Sequence, residues 1–435
     1  MMTHAPPRFL GPIPALIFGA CAYGLLWAVA PVDTPYPVGG AASGFLLLCV
    51  AAFILGIAFV RVSAGGAAPR TRPSQDATNR LFWFFMSAGA IGVGLRLYDR
   101  VVLRGVSLTG GIFEIREALT ETGFNGISVI AGLLFPFTLV PLFLVMGRQV
   151  RVPVIARVAA LLLFFYPAYD GAMMGGRSLA MVTLSLLVLY ALYWRLLQIT
   201  VRSLFLGVGV TLAAAIVATA VFESRLDEMG LGFLDSTLQS VYAYTVPPKS
   251  WILDFINSRP PGAALGMAAR AYLHVTQYLT HGIYEYAIVV REWGEQSSHG
   301  WGSTMFFPYY KLMQFVTGVR LSADYGNDLT NRFGVFTTFF GPWWVDFGWF
   351  GVPLMMLGGA FTQGLWRRAC AGDVEAAPLY LFLVIVIVFF PIVNLIQGAM
   401  GVYLMTALAI YLVVSRASAL GVTAYDHSIP GSATA

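Results

Sequence analysis

Apolar runs follow one another along nearly the whole chain, each about as long as a helix needs to cross a hydrocarbon layer, roughly 20 residues. They cover 10–30, 38–60, 81–97, 124–146, 152–169, 179–194, 204–222, 342–365, 378–395 and 401–414. Hydrocarbon offers backbone N–H and C=O groups no water, so a segment inside it must close its hydrogen bonds within a helix or a closed barrel. The runs lack the alternation of barrel strands, which predicts an all-α polytopic membrane protein of about ten transmembrane helices.

Composition agrees with this and excludes a soluble fold. Hydrophobic residues make up 58% and charged residues 11% of 435 positions, where a soluble domain carries about 25% charged residues. Mean hydropathy is +0.75 and the pI is near 9.1. The basic residues fall in short clusters between apolar runs, which marks them as topology signals and not as a nucleic-acid face. Cys21, Cys49 and Cys370 offer neither a disulfide framework nor a metal-binding spacing. The first run ends in Ala-Val-Ala, but it is longer than a signal-peptide core and only Arg8 forms a basic flank, so it reads as a retained span.

The charges divide the connections into two sets. Arg61, Arg70, Arg72 and Arg80, then Arg148 and Arg151, Arg195 and Arg202, Arg367 and Arg368, with Arg8 and Arg416 at the termini, form one set. Short loops rich in Lys and Arg stay cytoplasmic, so both termini are expected inside. Most acids fall in the other set, including Glu114, Glu117, Glu121, Asp170, Glu223, Asp254, Glu285 and Glu292. The expected organisation is an N-terminal bundle of about seven spans over 1–222, a periplasmic or interfacial segment over 223–341, about three spans over 342–416 and a cytoplasmic tail over 417–435. The stretch 268–290 mixes Arg270, His274, His281 and Glu285 with Tyr272, Tyr278, Tyr284 and Tyr286, which suits an interfacial or re-entrant helix. Two crossings there would raise the count to roughly twelve.

The chemistry is sought on the outer side, where arginine should be scarce. Arg96, Arg100, Arg104, Arg116, Arg177, Arg270, Arg291 and Arg320 nevertheless fall there or near it. Guanidinium groups match phosphate oxygens in bidentate fashion, so a lipid-linked pyrophosphate is one anion they could hold. Pairing with neighbouring acids is the plain alternative: Arg100 with Asp99, Arg116 with Glu117, Arg291 with Glu292 or Glu295. Arg177 sits in the glycine-containing connection 170–178, and Arg96, inside the end of a span, should face a polar cavity. A sugar hydroxyl needs a carboxylate or imidazole as base, and His281, Glu285, His274 and Glu117 are the candidates. His281 and Glu285 are four residues apart and would share a helix face, with Arg270 eleven residues before His281. Asp346, beside Trp343, Trp344 and Trp349, either caps a helix or contacts sugar at the site entrance. No Walker A, HExxH or GxSxG motif occurs, so ATP-driven transport within this chain is unsupported; neither a metal nor a cofactor is expected.

The segment 331–351, NRFGVFTTFFGPWWVDFGWFG, resembles the signature of bacterial oligosaccharide repeat-unit polymerases of the Wzy type. Gly175-Gly176-Arg177-Ser178 resembles the turn that opens a span in that family, and Leu279-Thr280-His281-Gly282 resembles its outer segment. The resemblance implies a metal-independent glycosyltransferase with a GT-C-like helical bundle and a long periplasmic loop, in the bacterial inner membrane. It would join polyprenyl-pyrophosphate-linked oligosaccharides into a surface polysaccharide such as O-antigen or exopolysaccharide, with a chain-length regulator and a flippase as further partners. Arg177, Arg270 and Arg96, with Arg100, Arg291, Asp346 and Tyr272 around them, are then expected to bind the substrate, and Glu285 or His281 to take the proton. An O-antigen ligase would use nearly the same site. A flippase or other secondary transporter, or a non-catalytic assembly subunit, would also be polytopic.

Overall fold

The computed structural model describes residues 6–63, 74–106, 126–147, 149–173, 178–200, 243–260, 263–293, 299–318 and 335–426, together with 202, 209, 232, 237–238 and 240. The expected span over 204–222 and the boundary at 223 lie outside these residues, apart from position 209. Helices dominate the described residues, and two isolated bridges, Val32 with Pro248 and Thr338 with Val393, are the extended pairings found there.

The N-terminal half supplies α1 (Pro12–Val29), α2 (Gly40–Ser63) and α3 (Gln75–Tyr98). A π-helical turn, Asp99–Leu103, extends α3. Next come α4 (Gly126–Leu134), a 3-10 stretch at Phe135–Leu139, α5 (Val140–Met146), α6 (Val154–Met173) and α7 (Ser178–Tyr193). Pro136 lies at the start of the 3-10 stretch and Pro141 in the first turn of α5, positions where a missing N–H is tolerated.

The second half holds α8 (Ser250–Asn257), α9 (Ala264–Thr280), α10 (Gly282–Trp293) and α11 (Phe307–Thr317). It closes with α12 (Phe340–Phe347), α13 (Gly351–Cys370), α14 (Ala377–Val388) and α15 (Gly398–Asp426).

Among the described residues, seven helical stretches are long and apolar enough to cross a membrane: Pro12–Val29, Gly40–Val62, Gln75–Leu103, Gly126–Met146, Val154–Ala172, Phe340–Cys370 and Gly401–Ser418. Ser178–Tyr193 and Ala377–Val388 are apolar but shorter. The run expected over 378–395 therefore ends early as a helix, at Val388, and its remainder forms turns. Leu47, Leu55, Phe59 and Leu162 point outward from their helices, a surface that hydrocarbon satisfies and water does not.

The tightest packing joins α2 to α13. Gly56 lies against the Met356 carbonyl and Gly359 against the Phe53 carbonyl, so a Cβ at either position would collide with the facing backbone. Small residues let two apolar helices gain dispersion contact where lipid tails would otherwise compete.

Cross-chain contacts define the two ends of the bundle. At one end the Tyr380 hydroxyl donates to the Leu10 carbonyl, Arg367 Nη1 to the Val60 carbonyl at 2.7 Å, and Tyr193 to the Ala369 carbonyl at 3.1 Å. Arg416 pairs there with Asp373 at 3.0 Å. Leu10 and Arg416 thus share the end that carries Arg367.

At the opposite end α9 packs on α1, and α10 packs on α2 and α12. Tyr23 donates to the Thr280 carbonyl at 3.1 Å, Trp27 to the Tyr284 hydroxyl at 2.8 Å and Tyr286 to the Ala42 carbonyl at 2.8 Å. Tyr286, Val289, Val290 and Trp293 belong to the main core. The segment 268–290, expected as an interfacial or re-entrant helix, is over α10 an inner layer of the bundle.

Candidate functional site

Two groups of polar residues gather at this end. The first is built on α3 and α6. Arg96, in the last turn of α3, places Nε 2.9 Å and Nη2 2.8 Å from Asp170 Oδ2. Arg100, one helical turn on and inside the π-helical stretch, donates from Nη2 to the same oxygen at 3.1 Å and meets Oδ1 through Nη1. One carboxylate, with its side chain 2% exposed, thus bridges two guanidinium groups.

The Arg96 guanidinium also lies over the Phe135 ring, 4.8 Å from its centroid. Tyr166, one turn before Asp170, lies within electrostatic reach of both arginines, and Tyr403 of α15 within reach of Arg96. Arg104 pairs with Asp99 at 3.1 Å. The formal sum of Arg96, Arg100, Arg104, Asp99 and Asp170 is three positive charges against two negative, or +1.

Arg96 is expected to face a polar cavity; the structure shows it paired with the Asp170 carboxylate. The local pairing of Arg100 with Asp99 is not found: Arg100 turns to Asp170 and Asp99 takes Arg104. The π-helical turn changes which side chains face α6, and such turns recur at functional sites.

Beside this group runs an apolar groove of about 540 Å³. Leu103 from the π-helical turn, Ile127, Ile130 and Leu133 from α4, and Leu312 and Val316 from α11 line it.

The second group forms where three irregular stretches of backbone meet: the α9–α10 junction, residues 335–339 and residues 389–397. Phe339 N–H donates to the Phe390 carbonyl at 2.9 Å, and a Cβ on Gly282 would come within 2.7 Å of the Ile392 carbonyl oxygen. Irregular backbone among apolar helices persists only where other parts of the protein satisfy it. Asn394 does part of this, donating to the Phe339 carbonyl at 3.1 Å and accepting from the N–H groups of Ile396 and Gln397.

Here His281 and Glu285 do not share one uninterrupted helix. His281 caps α9, and Glu285 sits in the first turn of α10. Both are fully buried. Phe336 N–H donates to His281 Nε2 at 2.9 Å, which requires the proton to sit on Nδ1, and Nδ1 lies 3.3 Å from the Gln277 carbonyl. Burial brings the imidazole down to about 4, so it stays neutral. With both ring nitrogens engaged, His281 docks the 335–339 stretch onto the helix junction.

Glu285 accepts the Thr245 hydroxyl at 2.9 Å. Burial pushes its carboxyl up to about 7, while the Thr245 bond pulls the other way and Glu292 adds to the rise. A carboxyl balanced near neutral pH can take a proton and return it.

Asp346 is fully buried and accepts the backbone N–H groups of Thr304 at 3.0 Å and Met305 at 2.7 Å. Its carboxylate ties the 300–306 turn to α12. The carboxylate acts as a cap, one of the two roles expected for it, though the cap is made to another segment and not to its own helix. Trp344 is buried against Phe45, with ring centroids 4.8 Å apart, and Trp343 donates to the Gly351 carbonyl at 2.9 Å.

Arg270 is half-buried on α9 and Arg291 exposed on α10. The Tyr272 hydroxyl donates to the Val29 carbonyl, which fastens α9 to α1. His274 is buried and stacks on Tyr278 at 6.0 Å. Arg177, Arg116, Arg320 and Glu117 lie outside the described residues. Asp170 and Thr245 were not singled out from the sequence as site residues. Asp170 is 74 positions from Arg96 and Thr245 is 40 from Glu285, so no local pattern links either pair.

No family model matches the chain, and no curated protein or solved structure matches it.

Proposed function

We propose that this chain is a polysaccharide polymerase: a metal-independent glycosyltransferase that joins polyprenyl-pyrophosphate-linked oligosaccharide repeat units at the periplasmic face of a bacterial inner membrane. The observation that carries the reading is the Arg96–Asp170–Arg100 group, a net cationic cluster at the end of the bundle away from the arginine-rich loops. The adjacent apolar groove suits the hydrocarbon part of a lipid carrier. The motifs at 175–178, 279–282 and 331–351 supply the family resemblance. About ten spans, or roughly twelve, in a GT-C-like arrangement with both termini cytoplasmic complete the picture.

In this reading the acceptor's hydroxyl oxygen bonds to the anomeric carbon of the donor chain. The bond from that carbon to the pyrophosphate oxygen breaks, and polyprenyl pyrophosphate leaves with the electron pair. Glu285 takes the hydroxyl proton, since the Nε2 lone pair of His281 already accepts the Phe336 N–H. Arg96 and Arg100, with Arg177 and Arg270, hold the charge that develops on the leaving group. Preoriented donors of this kind are worth about 10² to 10³ in rate.

The test is reconstitution in proteoliposomes supplied with a polyprenyl-pyrophosphate-linked oligosaccharide. A ladder of lengthened lipid-linked chains is expected, and Arg100→Gln or Arg177→Ala should reduce it about a hundredfold. Transfer to a different acceptor without a ladder would make the protein a ligase. Movement across the bilayer without lengthening would make it a transporter.

A further inference from the structure

The Asp170 carboxylate holds two arginines at once, and they reach it from one helix face a single turn apart. Like charges that close repel unless something between them neutralises part of the field. Asp170 does this from another helix, α6, one turn beyond Pro167. Its Oδ2 accepts from both side chains, so the carboxylate also sets their angle to each other. Phe135 backs the Arg96 plane. Among the described residues Asp170 is the carboxylate that meets both arginines.

We propose that Asp170 is a positioning residue with two opposed effects: it orients Arg96 and Arg100 toward a phosphate-bearing lipid, and it weakens their grip so that this lipid can leave. This rests on the polymerase reading for its ligand class. Arg96 and Arg100 alone carry a formal +2 and with Asp170 a formal +1. A bound polyprenyl pyrophosphate therefore competes with an internal anion, and when it departs the guanidinium groups return to Asp170. A residue that served folding alone would have a different signature, since removing its charge would loosen the site and lower affinity.

Full-length protein in nanodiscs, titrated with farnesyl pyrophosphate, farnesyl monophosphate and farnesol, separates these cases. Asp170→Asn keeps the shape and removes the charge. It is expected to bind farnesyl pyrophosphate about tenfold more tightly with a steeper loss in salt, while farnesol binding is unchanged. In the polymerisation assay the same variant should lower KM and kcat together, because product is held. Asp170→Glu should stay close to wild type. The double variant Asp170→Asn with Arg100→Gln should bind farnesyl pyrophosphate more tightly than Arg100→Gln alone, which keeps the test open if the single variant does not fold.

Weaker or unchanged farnesyl pyrophosphate binding by a folded Asp170→Asn protein overturns the role of Asp170 and leaves the polymerase reading standing. Failure of the double variant to bind more tightly than Arg100→Gln alone overturns it equally. Binding of farnesyl pyrophosphate to neither wild type nor variant removes the lipid-pyrophosphate ligand itself. Tighter binding by the variant in a protein that lengthens no chains upholds the counter-ion and rejects the polymerase.

Discussion

The Glu285 carboxylate and the Thr245 hydroxyl meet at 2.9 Å inside the protein, 40 residues apart in sequence. This bond favours the ionised carboxylate, whereas burial favours the neutral acid and is the larger influence, leaving the group at about 7. Polymerisation should therefore rise with pH around a midpoint near 7 as Glu285 loses its proton. Glu285→Gln should lower the rate about 10² to 10⁴-fold. Thr245→Val removes a bond that favours ionisation and should move the midpoint upward by roughly one pH unit. A rate profile from pH 5 to 9 checks both, and a midpoint that Thr245→Val lowers would count against Glu285 as the base.

Glu285 and His281 should act on stability with opposite signs. Glu285 has a raised value, from 4.5 to about 7, so its contribution is fully present below 4.5 and is lost as pH rises through 7. His281 has a lowered value, from 6.5 to about 4, so its contribution is present above 6.5 and is lost as pH falls through 4. Each amounts to roughly 3 kcal/mol by linkage, and over the shared window the two nearly cancel. The melting temperature of the wild type should vary little across that window. Glu285→Gln should make it fall toward acid, and His281→Asn should make it fall toward neutral pH. Parallel slopes in the two variants would contradict the assignment.

Asp346 should matter for stability and not for substrate affinity. Asp346→Asn keeps one acceptor for the Thr304 and Met305 N–H groups where the carboxylate offers two, at a cost of roughly 1–3 kcal/mol. A lower melting temperature with an unchanged KM is the expected result, and a large rise in KM at constant stability would restore Asp346 to the substrate site.

The α2–α13 contact predicts a sharp difference between neighbouring glycines. Gly359→Ala places a methyl group against the Phe53 carbonyl and should cost roughly 1–3 kcal/mol as the helices are forced apart. A Cβ at Gly358 meets nothing within 4 Å, so Gly358→Ala should leave the melting temperature unchanged or slightly higher. Equal effects at the two positions would contradict the packing of these helices.

The sequence by itself determined the helical, membrane-suited character of the chain and most of the long apolar helices. These follow from run length and charge placement, which act through local hydrogen bonding and the energetics of transfer into hydrocarbon. It also pointed to Arg96 as a polar-facing arginine and to Glu285 as a candidate base. Tertiary structure alone decided that Arg100 turns to Asp170 and not to the adjacent Asp99, that both nitrogens of His281 are occupied, and that Asp346 caps a distant turn. The early end of α14 at Val388 belongs with these, because the turns that follow are held by Asn394 and by pairing with residues 338–339. In each case the partner comes from a distant part of the chain, and helix periodicity carries no information about which distant donor or carboxylate a folded side chain will meet.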